Sequence, residues 1–218
     1  MTGQFLRKNS EGQWICSLRG HPGKMLSRLM NVAPDAAIAI RENRLIPGKV
    51  DLYQATVLFM AARQYDHVGA QIVDFGTMHG WSASMLSSGA PGALVHTLEP
   101  DRERRVMAKW HLTKWGFLNG NVRVLADTSQ EFQRKIADRG VGVDLVFIDG
   151  DHHHCEPDMP WWNLLREGGL LLFHDYTAKY QSVVTCVDGL VKQLGKEDPD
   201  ILLVNARNGQ GMAGVYKI

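Results

Sequence analysis

The sequence predicts a doubly wound α/β fold with a mostly parallel seven-stranded sheet and a C-terminal antiparallel hairpin. Three observations carry that expectation. Apolar runs of strand length alternate with helical patterns from residue 71 to residue 195, and such alternation builds crossovers onto a parallel sheet. The runs are almost continuously apolar, as strands covered on both faces must be. The last two runs, DILLVNA (200–206) and GMAGVYKI (211–218), are separated only by RNGQ. That is too short for a helical crossover, so the pair must be antiparallel.

Taken in order, residues 1–50 mix short apolar pieces with Gly, Pro, Asn and Arg, including HPGK and IPGK turns. They read as an irregular N-terminal extension with one or two short helices, placed to cap a site, to contribute to an oligomer contact, or to lie inert on the surface. Residues 51–218 form the domain proper. It opens with DLYQATVLFMAARQY, where Leu52, Ala55, Leu58, Phe59 and Ala62 keep helical spacing behind Asp51. QIVDFG (71–76) is then a strand and WSASMLSS a helix. ALVHTLEP (93–100) is a strand, followed by a helix begun by Asp101. VRVLAD (122–127) is a strand, and SQEFQRKIADRG a helix ending on Gly140. VDLVFIDG (143–150) is a strand, PDMPWWNLLREGG contains a helix, GGLLLFHD (168–175) is a strand, and KYQSVVTCVDGLVKQLG is a long helix stopped by Gly195.

Composition narrows the function. With 24 Lys and Arg against 23 Asp and Glu, the net charge is +1 and the pI about 7.8. A nucleic-acid partner is not expected, because such proteins carry a basic surplus. Arg102, Arg104, Arg105, Lys109 and Lys114, spread around one helix, read as a solvated face. Three widely spaced cysteines, Cys16, Cys155 and Cys186, argue against a disulfide framework and fit a reducing cytoplasm. No apolar run reaches the roughly 18 residues of a membrane helix, and the first residues lack the apolar centre of a signal peptide.

Ligands of such sheets bind at the carboxyl ends of the strands, so the polar residues sort by strand end. The first strand ends in Asp74 and a turn bounded by Gly76 and Gly80, which suits either a nucleotide cofactor or close packing of helix on sheet. The second ends in Glu99, nineteen positions beyond Gly80, near the spacing at which an acid takes a ribose diol. After the third, Asp127, Thr128, Ser129 and Gln130 can read an adenine edge. Thr128 or Ser129 can also cap the next helix, with Glu131 completing a capping box. The fourth ends in Asp149-Gly150-Asp151-His152-His153-His154 and the fifth in His174-Asp175-Tyr176. Carboxylates with an imidazole suit a divalent cation such as Mg2+ or Mn2+, and a neighbouring His or Asp suits a general base. Trp161, Trp162 and Tyr176 either shape an acceptor pocket or pack helices.

The segments VDFGTMHGWSASML, HTLEPD, LADTSQEF, DLVFIDGDHHH and GGLLLFHDY, in this order and with the closing hairpin, resemble class I S-adenosylmethionine-dependent methyltransferases. The resemblance covers roughly residues 50–218 and is nearest to small-molecule O-methyltransferases of the macrocin, cephalosporin-biosynthesis and catechol type. It implies a Rossmann-like fold and methyl transfer to a natural-product or sugar hydroxyl. It further implies that Asp74, Gly76, Gly80 and Ser82 line the methionine and ribose, that Glu99 holds the ribose hydroxyls, and that Asp127 to Gln130 surround the adenine. Asp149 also joins the cofactor contacts. The family's metal positions fall on Asp149, His174 and Asp175, with His replacing an acid, and its base on Asp151 or His152. Met78 stands where many members carry glycine. A homodimer or larger assembly follows by analogy. The rivals are a nicotinamide-dependent oxidoreductase, which Gly76-Thr77-Met78-His79-Gly80 fits poorly for want of a G-x-G-x-x-G cradle, a metal-dependent hydrolase using the His and Asp cluster, and a non-catalytic cofactor-binding module.

Overall fold

The computed structural model describes residues 7–8, 14–16, 52–118, 120–203 and 211–218. Two short strands come first, β1 (Arg7–Lys8) and β2 (Trp14–Cys16). The domain then runs α1 (Leu52–Arg63), β3 (Gln71–Phe75), α2 (Trp81–Gly89), β4 (Leu94–Leu98), α3 (Arg102–Lys114), β5 (Val122–Leu125) and α4 (Ser129–Asp138). It continues through β6 (Val143–Ile148), a 3-10 turn (Glu156–Asp158), α5 (Trp161–Leu164), β7 (Leu165–His174), α6 (Gln181–Gln193), β8 (Ile201–Leu203) and β9 (Met212–Tyr216). Asp51, the short helices expected in the N-terminal extension and residues 204–206 lie outside the described residues.

One sheet holds all nine strands, in the order β1-β2-β8-β9-β7-β6-β3-β4-β5. The seven predicted strands make up its β8-to-β5 part. β9 runs antiparallel to both β7 and β8, as the short RNGQ connection requires. β2 adds in parallel to β8 and β1 pairs antiparallel with β2. Two- and three-residue strands carry too little periodicity to be seen in a sequence.

Alternation along the strands divides the core. Ile72, Val95, Leu145, Leu170 and Leu172 face a layer that takes in Ala55, Leu58, Phe59 and Ala62 of α1, Met85 and Leu86 of α2 and Leu112 of α3. Their neighbours Val73, Val146, Leu171 and Phe173 face Phe132 and Ile136 of α4, Trp161, and Val183, Val187 and Leu190 of α6. Helices therefore cover both faces. Caps set several helix starts. Asp101 accepts the Arg104 N–H at 2.8 Å, and Thr128 with Glu131 closes a capping box at α4.

Two elements differ from expectation for packing reasons. The helix within PDMPWWNLLREGG shrinks to the single turn α5, because fully buried Trp161 stacks against Phe75 with ring centroids 5.5 Å apart and the chain must turn straight back into the sheet. β7 accordingly starts at Leu165 instead of Gly168, through an irregularity in its pairing with β6 between the Val143 and Leu145 positions. The chain winds outward through β3, β4 and β5, then returns across the sheet to β6. The switch between β3 and β6 opens the crevice where such sheets bind ligands.

Candidate active site

A cavity of about 840 Å³ occupies that crevice, at the carboxyl ends of β3 to β7. Its size is in the range of cofactor and small-ligand sites. Gly76 and Met78 line it from the turn after β3, Glu99 from β4, Asp127 to Gln130 from β5, Asp149 to His152 from β6, and His174 with Asp175 from β7.

The turn after β3 is held by packing as much as by dihedral freedom. Gly76 has φ +80°, and a Cβ there would lie 2.3 Å from the main-chain oxygen of Asp149. The absent side chain thus lets β3 and β6 meet at the switch. At Gly80, φ +87°, a Cβ would meet Leu112 Cγ at 2.7 Å, and Gly80 is outside the cavity lining. The two glycines thus differ, Gly76 lining the cavity and Gly80 serving helix packing. Met78 adopts φ +44°, a conformation glycine would take more cheaply. Its compensation is visible, because its N–H donates to Glu99 Oε2 at 3.0 Å.

Asp74 lies beneath the turn, fully buried. Its Oδ2 accepts from Ser82 Oγ at 3.0 Å and Thr97 Oγ1 at 2.6 Å. Thr97 is also 2.6 Å from Thr77 Oγ1. With the Thr97 proton directed at Asp74, Thr77 donates to Thr97, and the chain Thr77–Thr97–Asp74 ties the turn to β4. Burial is the largest influence on Asp74 and raises its pKa to about 7 against the opposing hydroxyl bonds. Neither Asp74 nor Thr97 lines the cavity. Thr97 was missed in the sequence, and its signal was the single hydroxyl in the strand run LVHTL.

Glu99 is only 3% exposed yet lines the cavity. Its Oε2 takes the Met78 N–H and its Oε1 the Asp101 N–H at 3.2 Å. Each carboxylate oxygen is thereby fixed by one main-chain donor and retains acceptor capacity for a diol. The basic residues of α3 are not uniformly solvated. Arg105 Nη1 donates to the carbonyls of Glu99 and Pro100 at 2.7 and 2.9 Å, and Arg104 lines the cavity.

At the β5 end, Asp127 is paired with Lys135 at 2.5 Å. Ser129 Oγ accepts from Trp161 Nε1 at 2.9 Å, and Gln130 Nε2 donates to Asp158 Oδ1 at 3.2 Å. Asp158 and Tyr180 also line the cavity and were not singled out in the sequence, since neither sits directly at a strand end. Trp161 is in the core, and Tyr176 donates its hydroxyl to Asp188 at 2.8 Å. Neither lines the cavity, nor does Trp162.

At the β6 and β7 ends, His152 Nε2 is 3.3 Å from Asp175 Oδ2 and 3.9 Å from Asp149 Oδ1. His174 Nδ1 is 3.0 Å from Asp149 Oδ1 and 3.3 Å from Asp175 Oδ2, without the alignment of a hydrogen bond. Burial opposes charge on His174, but the two carboxylates prevail and raise its pKa to about 10. It is an imidazolium at neutral pH, a counter-cation between two acids. Asp175 holds φ +55°, a left-handed conformation Asp tolerates, and among the described residues its buried Oδ1 has no hydrogen-bond partner. Asp151 lies apart. It is exposed, accepts the His153 N–H at 2.9 Å and His154 Nδ1 at 2.9 Å, and these bonds lower its pKa.

The strand order from β8 to β5, with β9 antiparallel within it, the acid at the end of β4 and the crevice between β3 and β6 define the fold. The chain has the Rossmann-like fold of methyltransferases. Residues 73–176 match the family described as Methyltransferase domain. The relatives are O-methyltransferases by name. One from Mycobacterium sp. (strain KMS), provisionally so named, is 28% identical over 153 residues, 66% of each chain. Two solved structures share the fold. The O-methyltransferase from Bacillus cereus in complex with SAH superimposes with a TM-score of 0.65 at 16% identity over 89% of this chain and 97% of its own. The O-methyltransferase TomG from Streptomyces achromogenes, involved in tomaymycin synthesis and bound to SAM, gives 0.66 at 18% over 89% and 96%.

Proposed function

We propose that this chain transfers the methyl group of S-adenosylmethionine to an oxygen of a small acceptor, a natural-product or sugar hydroxyl, in the cytoplasm. The observation that carries the reading is the continuity of one cavity from Glu99 to His152. A carboxylate suited to a ribose diol and an imidazole suited to a hydroxyl proton line the same space. When bound, the cofactor supplies a sulfonium-activated methyl group. Glu99, fixed by two main-chain donors, binds and orients the ribose, while the turn from Gly76 to Met78 sets the depth of the pocket. His152, with Nε2 beside the Asp175 carboxylate, receives the acceptor's proton, and Asp175 stabilises the imidazolium that results. Tyr180, its ring centroid 5.0 Å from that of His152, limits the movement of the imidazole. Holding acceptor and methyl donor in line removes much of the entropic barrier. Location in the cytoplasm is supported by two free buried cysteines, Cys155 and Cys186. Among the described residues no helix is long and apolar enough to cross a membrane.

Methyl-labelled cofactor, offered with a panel of catechols, sugars and polyketides, is the test. Label in an ether product supports the proposal. Label at nitrogen or carbon, or in no acceptor while NAD is reduced in its place, overturns it.

One observation supports a second, metal-assisted reading. Ligand atoms of Asp149, His152 and Asp175 lie within 4.8 Å of one another, and Asp175 Oδ1 is buried without a hydrogen-bond partner among the described residues. This donor set fits a divalent cation, with the imidazole favouring Mn2+ over Mg2+. A cation held there would lower the pKa of the acceptor hydroxyl. His174, protonated, is a weaker candidate ligand than His152. Exhaustive EDTA treatment separates the readings, since full turnover in chelator excludes the metal and leaves His152 as the base.

A further inference from the structure

Helix α3 turns an apolar face to solvent. Among the described residues seven large apolar side chains are exposed, and four of them, Val106, Met107, Trp110 and Trp115, fall in α3 and the residue that caps it. Val106 and Trp110 are one turn apart with Met107 beside them, so they form a stripe on the side opposite Ala108 and Leu112, which enter the core. Val106 is 62% and Trp110 56% exposed. Single apolar residues are ordinary on a surface, whereas a contiguous group rimmed by polar ones marks an interaction site. This rim is basic. Helical spacing puts Arg102 and Lys109 along one flank of the stripe and Lys114 along the other. The Lys114 ammonium stands 4.9 Å from the ring centre of Trp110 and 5.6 Å from that of Trp115. The single acid of the helix is Glu103.

We propose that this face of α3 docks on the surface of an anionic bilayer, as a peripheral contact that leaves the fold intact. An apolar stripe between basic flanks is the pattern of a helix lying in a membrane interface, with indole rings at headgroup depth and lysine stems reaching to lipid phosphates. Other occupants fit less well. A second copy meeting the face across a two-fold axis would set basic flanks against basic flanks. The chain's own residues 17–51, outside the described residues, carry six Lys and Arg against three Asp and Glu, so their charge opposes such a contact as well. A nucleic acid would satisfy the flanks but give Val106 and Met107 no apolar medium. The contact is independent of the cofactor reading. Arg104 of the same helix lines the cavity, so docking brings the cavity mouth beside the lipid.

The test is co-sedimentation of the full chain with vesicles of phosphatidylcholine alone and of phosphatidylcholine mixed equally with phosphatidylglycerol. Wild type should partition at least about ten-fold more strongly onto the anionic vesicles, and added salt should weaken that binding. Val106→Glu and Trp110→Glu should each reduce it by at least about ten-fold. Val68→Glu, at an isolated apolar residue 94% exposed, should leave it unchanged. The double variant Arg102→Gln/Lys109→Gln, which keeps the stripe, should lose the preference for anionic over neutral lipid. Wild type that stays in the supernatant, or that binds both vesicles equally, overturns the proposal even if a variant does not fold. So does undiminished binding by a folded Val106→Glu or Trp110→Glu, or a preference for a single-stranded oligonucleotide when it competes with the anionic vesicles. Titration of Val106→Glu with S-adenosylhomocysteine should match wild type, which keeps failure of this contact distinct from failure of the cofactor reading.

Discussion

Replacing Gly76 by alanine tests how the crevice is built. Two independent costs meet at this position. An L-residue at φ +80° pays about 1–2 kcal/mol for the left-handed conformation. The added Cβ would also lie 2.3 Å from the Asp149 carbonyl oxygen, so one of two central strands must move by about 1 Å, and overpacking of that order costs a further 1–3 kcal/mol. Gly76→Ala should therefore lose about 2–5 kcal/mol of folding stability. Gly140 supplies an internal control, with φ +62° and open space where a Cβ would stand, so Gly140→Ala should lose only the dihedral part. Urea denaturation of both variants gives the comparison, and S-adenosylhomocysteine titration should show weaker binding only for Gly76→Ala, because Asp149 moves with its carbonyl. If the two alanine variants are equally stable, the close approach of β3 and β6 is not what the glycine serves, and the reasoning fails.

Two further outcomes follow. Asp74 has its folded pKa raised to about 7 from 3.8, so the folded state holds the proton more tightly than the unfolded chain. Its stabilising contribution is present below about pH 4 and is lost as pH rises towards 7. Asp74→Asn should lack this fall and, between pH 5 and 8, gain about 2–3 kcal/mol on wild type in pH-resolved denaturation; parallel curves would contradict the assignment. At the rim, His152→Ala should lower kcat by about 100-fold or more, while Asp151→Ala, removing an exposed acid already bonded to His153 and His154, should change it by less than about three-fold. The reverse order in steady-state rates would transfer the base to Asp151.

Much of the framework was legible in local sequence because its causes are local. Alternation of Ile72 and Val73 between the two cores follows from the two-residue period of a strand. Asp101 and Thr128 begin helices because their side chains reach the first free N–H groups. RNGQ dictates the antiparallel closure. The site was legible where a strand end alone sets position, as at Glu99, Asp149 and Asp175. It was not legible where packing between distant segments decides. Trp161 offers an aromatic face in the sequence, but the space between Phe75 and Phe132 takes it into the core. His152 and Asp151 are adjacent in the chain, yet the turn sends one toward Asp175 and the other to solvent. Asp158 follows a proline in a short turn, and only the folding of that turn against Ser129 and Gln130 brings it to the cavity. The excess of Lys and Arg on α3 looked like a solvated face, although Arg105 is spent on the carbonyls that end β4.

The most direct measurement of the central claim is calorimetric titration of wild type and Glu99→Ala with S-adenosylhomocysteine and with NAD. The structure predicts saturable one-site binding of S-adenosylhomocysteine by wild type, at least about ten-fold weaker binding once Glu99 is removed, and no binding of NAD by either protein. Binding of NAD in preference to S-adenosylhomocysteine, or affinity for S-adenosylhomocysteine unchanged by Glu99→Ala, would contradict the account.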